Sequence, residues 1–501
     1  MSQSLLGSAS ILLFFPLLGA AQSLVHSTGL HADAALLRHA YEELHPGLYR
    51  YVAPIQMDQA FSALNRALDH DQTAQDAFLA FSIFAAKVRC GHTQANPFNQ
   101  SKALKEKLLQ SPTRVPFYFA WLDRRMIVTR DFTPDKALPA GTEILRIDRT
   151  PAAAILEKLL TIARADGSNE SKRIAQLEVT GDSEYETFDL YYPMFFPPRG
   201  TQMELNIRRP GSSKTVSLTV KPLSFDERIA PIRDRERQRN GGSEILFEWK
   251  YLPTGAAYLK MPTWALYNSK WDWKSWLREK MDDAAQRNAP ALILDLRGNE
   301  GGEDVGNQIL PYLIDQPLKL SSMQRLVRYR KVPADLVPYL DTWDNSFRDW
   351  GSSAVDLPAP WPTAPAGAAY FKLTRYDDDS SGDVIQPAPM RFRGKVLVLI
   401  DANNSSATFQ FAQTIQIHHL GTLIGQPTGG SQRGINGGAF FFLRLPHSGI
   451  EMDLPLIGTF PLSPMPDSGI SPDIPVRRTA ADIANARDPE LAAALQAIAK
   501  N

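Results

Sequence analysis

Two hydrophobic periods succeed each other along the chain. Between Asp33 and Val88 apolar positions recur at helical spacing: Leu36, Leu37, Ala40, Tyr41 and Leu44 share one face, and Phe61, Leu64 and Leu68 another. Asp33 and Asp58 are placed as caps, and the first helix stops at His45-Pro46-Gly47. This pattern predicts a small helical domain over residues 24–112. Over 113–222 the period shortens to that of strands, at Met126–Thr129, Glu143–Ile147, Met203–Arg209 and Thr215–Val220, with turn punctuation at Pro139-Ala-Gly141 and Pro210–Ser213. The polar, charged stretch Arg228–Gly242 predicts a linker over 223–243. From 244 to 480 apolar strands alternate with helical stretches, which predicts an α/β core with a largely parallel sheet. Residues 320–390 interrupt that alternation with Trp343, Trp350, Trp361, many prolines and the acidic run Asp377–Asp379. They are expected to form a cap over the site, against the plainer reading of a surface excursion. A C-terminal helix is expected over 481–501.

Length and charge narrow the picture. A chain of 501 residues with 44% hydrophobic content can fill two or three cores. Lys plus Arg equals Asp plus Glu at 54 each, and no long basic run stands out, which argues against a nucleic-acid partner. A neutral substrate, or one held by its backbone, fits better. Residues 5–21 are a short apolar stretch ending in small residues and read as a secretory signal cleaved after about Ala21, with a short buried helix as the alternative. The stretch lacks the usual Lys or Arg at its start and is marginal as a membrane span. Cys90 is the only cysteine, so no internal disulfide can form. The expectation is a periplasmic or secreted protein with no membrane span in its mature form.

Two segments carry candidate chemistry. Val396–Ile400 is an apolar strand that runs into Asp401-Ala-Asn-Asn-Ser-Ser-Ala-Thr408 and then a helix. A serine at such a junction exposes its hydroxyl beside the free N–H groups of a new helix, although the same position also suits an ordinary N-cap. Ala291–Gly302 is an apolar strand that breaks into the turn Arg297-Gly-Asn-Glu-Gly-Gly302, where glycines let backbone amides approach a ligand. In this order, Leu294–Gly302, Ser406-Ala407 and Leu423–Gly429 resemble the core motifs of the C-terminal-processing, or tail-specific, serine peptidases of the S41 type. The resemblance spans most of Phe247–Val476. It implies a ClpP-like, crotonase-like α/β core, with Ser406 rather than Ser405 as nucleophile and oxyanion N–H groups from Ala407 and from Gly301 or Gly302.

The base follows from the same resemblance. Many such enzymes use a lysine in the glycine turn after the nucleophile helix; here Ser431 stands at about that position, and Gly425–Gly438 holds only Arg433, which stays protonated. The tricorn-like branch uses a histidine from an N-terminal segment, and Val88-Arg-Cys-Gly-His-Thr93 resembles its motif, with Cys90 where aspartate is common. His92 is therefore the expected base. His418 and His419 lie about 18 Å along a continuous helix from Ser406 and are better placed at its C-terminus; His45 and His447 read as turn residues. The orienting acid is expected at Asp467, with Glu451 as the alternative, because Asp467–Asp473 resembles that branch's closing motif; Asp473 would terminate the closing strand. Phe409 stands near the position of a family glutamate. Leu138–Leu160 resembles a divergent PDZ turn and helix, which implies peptide binding at a sheet edge or a structural role.

The resulting expectation is an exported serine peptidase acting on peptide or protein substrates without metal or cofactor, since no metal-ligand motif is present. A non-catalytic binding protein on the same scaffold is the alternative. A crotonase-like acyl-CoA enzyme shares only the glycine turn.

Overall fold

A computed structural model describes residues 24–499 apart from 110, 241–244, 268, 321–322, 358–368 and 377–383, and apart from the side chains of 235–240. The expected secretory segment, Trp361 and Asp377–Asp379 lie outside the described residues. Four helices open the chain: Ser27–Leu44, Pro54–Ala67, Ala74–Lys87 and Lys102–Leu109. Their apolar faces are those the periodicity marks, with Leu37, Tyr41, Leu44, Phe61, Leu64 and Leu68 all buried. The expected caps are corrected. Asp33 lies inside the first helix, where its carboxylate accepts the N–H groups of His447 and Ser448. Asp58 lies inside the second and pairs with Arg38. Helix starts use Pro54 at the first turn and the Thr73 hydroxyl, which accepts from Asp76 N.

The next unit is an antiparallel sheet in the order Phe117–Leu122, Arg125–Asp131, Glu143–Ile147, Met203–Arg208, Thr215–Val220. The stretch read as a linker is instead mostly helix, Phe225–Asn240. Its charges mislead because Arg228 is not solvated: it is buried and paired with Asp189.

The α/β core holds a six-stranded sheet in the order Ile474–Pro475, Thr422–Gly425, Lys395–Ile400, Ala291–Asp295, Ala257–Lys260, Glu248–Tyr251, parallel except for the last pair. Every residue of Ala291–Asp295 is buried, as a strand covered on both faces requires. Leu292, Leu294 and Val398 pack on the helices Trp273–Gln286 and Ser406–Ile417, while Ile293, Leu397 and Leu399 face the C-terminal helix Pro489–Ala499. The C-terminal stretch thus carries two helices, Ala480–Ala484 and Pro489–Ala499, in place of the single one expected.

The stretch expected as a cap is corrected too. Its strands Met323–Val327, Leu340–Asp341, Ala354–Leu357 and Tyr370–Leu373 join the long hairpin Asn436–Arg444 and Glu451–Pro461 in one antiparallel sheet. Its aromatic residues are core residues: Phe347 and Trp350 are buried in the same hydrophobic cluster as the N-terminal helices. Trp343 alone of its described tryptophans is exposed, against Phe440 and Phe442. No helix of the described residues is long and apolar enough to cross a membrane.

Candidate active site

The chemistry sits where the central strands of the parallel sheet end. Lys395–Ile400 leads through Asp401–Ser405 into the helix Ser406–Ile417. Ser406, the first helical residue, has φ +52°, a left-handed conformation that a residue with a Cβ adopts only where its surroundings impose it. Those surroundings are a set of cross-links to the glycine turn. Asn404 Nδ2 donates to Leu296 O at 2.6 Å and Asn299 O at 3.0 Å, Thr408 Oγ1 donates to Asn299 O at 2.9 Å, and Gly298 N donates to Asp401 Oδ2 at 2.9 Å. The two serines are thereby told apart: Ser405 Oγ is tied to Glu300 O at 3.1 Å, whereas Ser406 Oγ makes no hydrogen bond among the described residues.

Two glycines of the turn pack against neighbouring backbone at this junction. Gly301, at φ +101°, lies so close to the nucleophile that an added Cβ would stand 2.7 Å from Ser405 O and 2.9 Å from Ala407 N and Ser406 Cβ. Gly302, at φ +138°, is pressed on the backbone of Trp264. Gly301 N donates to Asn299 Oδ1 at 2.9 Å, while the N–H of Gly302 has no acceptor among the described residues.

His92 sits on the loop after the helix Ala74–Lys87, which turns at Arg89 with φ +56°. That loop is held by Cys90, whose thiol accepts from Asn436 Nδ2 at 3.3 Å, by Gly91 N donating to Asp166 Oδ1 at 3.0 Å, and by buried Thr93 against His45 Nε2 at 2.8 Å. The His92 ring packs near Gly437 and Phe440, with Nδ1 buried and unpartnered. Burial pulls its pKa below the ordinary histidine value, opposed by the Asp166 carboxylate and favoured by the Arg164 guanidinium; Glu300 and Lys172 act in the same two senses, raising and lowering it respectively. Ser406 and His92 make no hydrogen bond to each other among the described residues; Glu300 carries the carboxylate that acts on His92 and the carbonyl that accepts from Ser405, the residue before Ser406.

The remaining expected groups lie elsewhere. Asp467 accepts from Ser168 N at 3.0 Å and Ser431 Oγ at 3.4 Å. Glu451 lies beside Arg444 and Asp341, and Asp473 accepts from Leu423 N at the start of a strand. His418 and His419 are exposed at the far end of the nucleophile helix. His45 is buried, and burial with the nearby Arg50 charge depresses its pKa to about 3. His447 packs on Gly29.

Three residues of the site were not legible in the sequence: Asp166, Asn169 and Lys172, from a turn Ala163–Asn169 and the short helix Glu170–Ala175 of the preceding unit. Lys172 Nζ pairs with Glu300 Oε1 at 2.5 Å and donates to Asn403 O at 3.0 Å. The Glu300 side chain is half-exposed to the cleft; lost hydration there would raise its carboxyl, but this ammonium holds it at about 2. A cleft of about 1260 Å³ reaches the site, lined there by Glu300, Gly301, Asn403, Thr93 and Arg164; neither Ser406 nor His92 is itself a lining residue. Among the described residues no group of three or more His, Cys, Asp or Glu side chains is arranged to hold a metal ion.

Comparison with known proteins gives the same core. The sequence model of peptidase family S41 matches residues 255–456, which include the glycine turn and Ser406 but neither His92 nor Asp467. No curated protein matches the sequence. Among solved structures, mature CPAF complexed with lactacystin superposes with a TM-score of 0.58 at 16% identity, over 94% of this chain and 97% of that one. Mature CPAF superposes at 0.56 and 16% identity, over 91% and 94%. A photosystem II D1 C-terminal processing protease is found at 0.40 and 14% identity, over 90% and 93%.

Proposed function

We propose that the protein, whose residues 255–456 match the sequence model of peptidase family S41, hydrolyses peptide bonds through an acyl-enzyme on Ser406. The observation that carries this reading is Ser406 itself: left-handed, free of hydrogen bonds, at a helix start, and pressed on the Gly301 backbone. In the proposed reaction Ser406 Oγ attacks the peptide carbonyl, and His92 accepts the Oγ proton through Nε2 and returns it to the leaving amine. The N–H groups of Ala407 and Gly302 hold the oxyanion. Water then cleaves the ester by the reverse proton path. Substrates would be peptides or proteins entering by the cleft that ends at Glu300 and Gly301. Export, expected from residues 5–21, belongs to the same proposal; N-terminal sequencing of protein from the extracytoplasmic fraction that began at Met1 would remove it.

One observation favours a competing reading: the missing Ser406–His92 hydrogen bond fits a non-catalytic binding protein on this scaffold. Catalytic hydrogen bonds are often open until substrate is bound, so the geometry permits both. Labelling with a fluorophosphonate, mapped by mass spectrometry, separates them. Peptidase chemistry gives modification of Ser406 that is lost in Ser406→Ala and strongly slowed in His92→Ala. A folded protein that takes no label is a binding protein.

A further inference from the structure

The segment Arg164–Arg173 belongs by chain position to the antiparallel unit, yet it directs its polar groups at the loops of the active site. Asp166 Oδ1 accepts Gly91 N–H at 3.0 Å, and Gly167 N donates to Arg89 O at 2.9 Å, so two bonds hold the turn that carries His92. Arg164 Nε donates to Gln94 Oε1 at 2.8 Å on the other side of that histidine. Asn169 Nδ2 donates to Thr428 O at 2.8 Å and Gly430 O at 2.9 Å, in the turn that follows the nucleophile helix. Lys172 reaches furthest, to Glu300 in the glycine turn and to Asn403 just before the nucleophile. With Ser168 N on Asp467 of the closing segment, ten residues touch five separate loops.

A turn that served only to connect two helices would leave such groups to water. Here Asp166, Asn169 and Lys172 are 1%, 9% and 3% exposed, and each meets a partner in another unit. Burying an ammonium and a carboxylate is costly unless both are paired, so the arrangement is kept only if it fixes something. What it fixes is charge and position around His92. The leading charged influences on this ring are Asp166 and Glu300 on the negative side and Arg164 and Lys172 on the positive. Three of the four lie in this segment, and the fourth, Glu300, is held by it.

We propose that Arg164–Arg173 is the positioning element of the active site, in which Asp166 supports the charge that His92 gains as it takes the serine proton, and Lys172, through Glu300, holds the glycine turn. The role rests on the serine-peptidase reading of Ser406 and His92. Asp166 and Lys172 are positioning residues: neither touches the reacting atoms. The assignment moves the acid function from the closing segment, where Asp467 is bound to Ser168 N and Ser431, to the antiparallel unit.

The test is the pH dependence of the rate at which a fluorophosphonate labels Ser406, with thermal unfolding of each variant as the folding control. Asp166 raises the His92 pKa and Lys172 lowers it, so their removal displaces the acid limb in opposite directions. In Asp166→Asn the midpoint moves to lower pH and the plateau rate falls by about tenfold, within the range that general-base assistance supplies. In Lys172→Gln, which also frees the Glu300 charge, the midpoint moves to higher pH. Asp166→Glu, which keeps the charge, returns the midpoint to the wild-type value. Each arm decides alone, so a variant that does not fold leaves the other to settle the matter. A merely structural segment predicts slower labelling with the midpoint unmoved in every folded variant, and that result overturns the proposal while leaving the peptidase reading intact. Wild type that takes no label removes both.

Discussion

At the scale of single residues, the site is governed by where a Cβ can stand. An added methyl at Gly301 would meet the Ser405 carbonyl at 2.7 Å and Ala407 N at 2.9 Å, both backbone atoms that cannot rotate away. Gly298, three residues earlier in the same turn, has nothing within 4 Å of that position and only its φ of +80° to protect. Gly301→Ala is therefore expected to slow Ser406 labelling by about 10²-fold, the loss typical of a displaced oxyanion donor. Gly298→Ala should cost about 1 kcal/mol of stability and little rate; comparable rate losses in the two would show that clash is not the cause. His92 makes a second prediction. Burial lowers its pKa, and the base must be neutral, so the acid limb of the labelling rate should lie below pH 6.5, the ordinary histidine value. A limb above that value would mean that carboxylates outweigh burial. Motif reading singles out Ser406 and His92 because each stands in local company that resembles a family motif, Ser-Ala and Gly-His-Thr. It missed Asp166 and Lys172 because a side chain that acts across 128 residues of sequence, as Lys172 does on Glu300, leaves no periodic or spacing signal.

Among the elements, strands with unbroken apolar runs were legible and polar surfaces were not. Val396–Ile400 and the apolar start of Ala291–Gly302 read as strands of a largely parallel sheet, and Lys395–Ile400 and Ala291–Asp295 pair in parallel at its centre. The helix Phe225–Asn240 was taken for a linker because Arg-rich sequence looks solvated, yet Arg228 is 1% exposed. Its Nε donates to Asp189 Oδ2 at 2.7 Å, Nη2 donates to Asp189 Oδ1 at 3.3 Å, and the same nitrogen caps Val115 O. The helix is thus riveted to the antiparallel unit by one guanidinium. Arg228→Met leaves a buried, unpaired carboxylate and should destabilise the fold by about 3–5 kcal/mol in chemical denaturation. Adding Asp189→Leu removes the stranded charge and should recover much of that loss. A double variant as unstable as the single would show that packing of the guanidinium, not its charge, is what holds the helix.

For the whole molecule, the sequence showed which faces are apolar but not what they meet. One hydrophobic cluster joins the N-terminal helices, the antiparallel unit and the hairpin sheet, with Leu37, Phe119 and Phe441 all fully or almost fully buried in it. That fusion explains why the stretch expected to cap the site is built into a sheet instead. It also encloses carboxyl groups where the antiparallel unit meets the α/β core. Glu178 and Glu186 line the cleft, and burial pushes their carboxyls up to about 8 and about 7; Asp401 and Asp189 respectively add to the shift as neighbouring negative charges. Unfolded, both groups would titrate near the ordinary glutamate value of about 4.3. Folding therefore takes up protons between these limits, and its stabilising effect is complete at low pH and is lost as pH rises through the folded values. The depressed pKa of His45 acts oppositely: its contribution is present above about 6.5 and is lost as pH falls towards 3. Between pH 7 and 9 the histidine is neutral in both states while the glutamate term falls, joined towards the top of the window by the buried Cys90 thiol, whose pKa burial raises above the unfolded value of about 8.5, so the unfolding temperature should fall across that window. Glu178→Gln keeps the carbonyl that accepts Trp121 N at 2.8 Å and removes the ionisation, and should flatten the fall. A variant with the same slope as wild type would place the Glu178 carboxylate in open water, and the cleft between the two units would then be wider in solution than its 1260 Å³ volume describes.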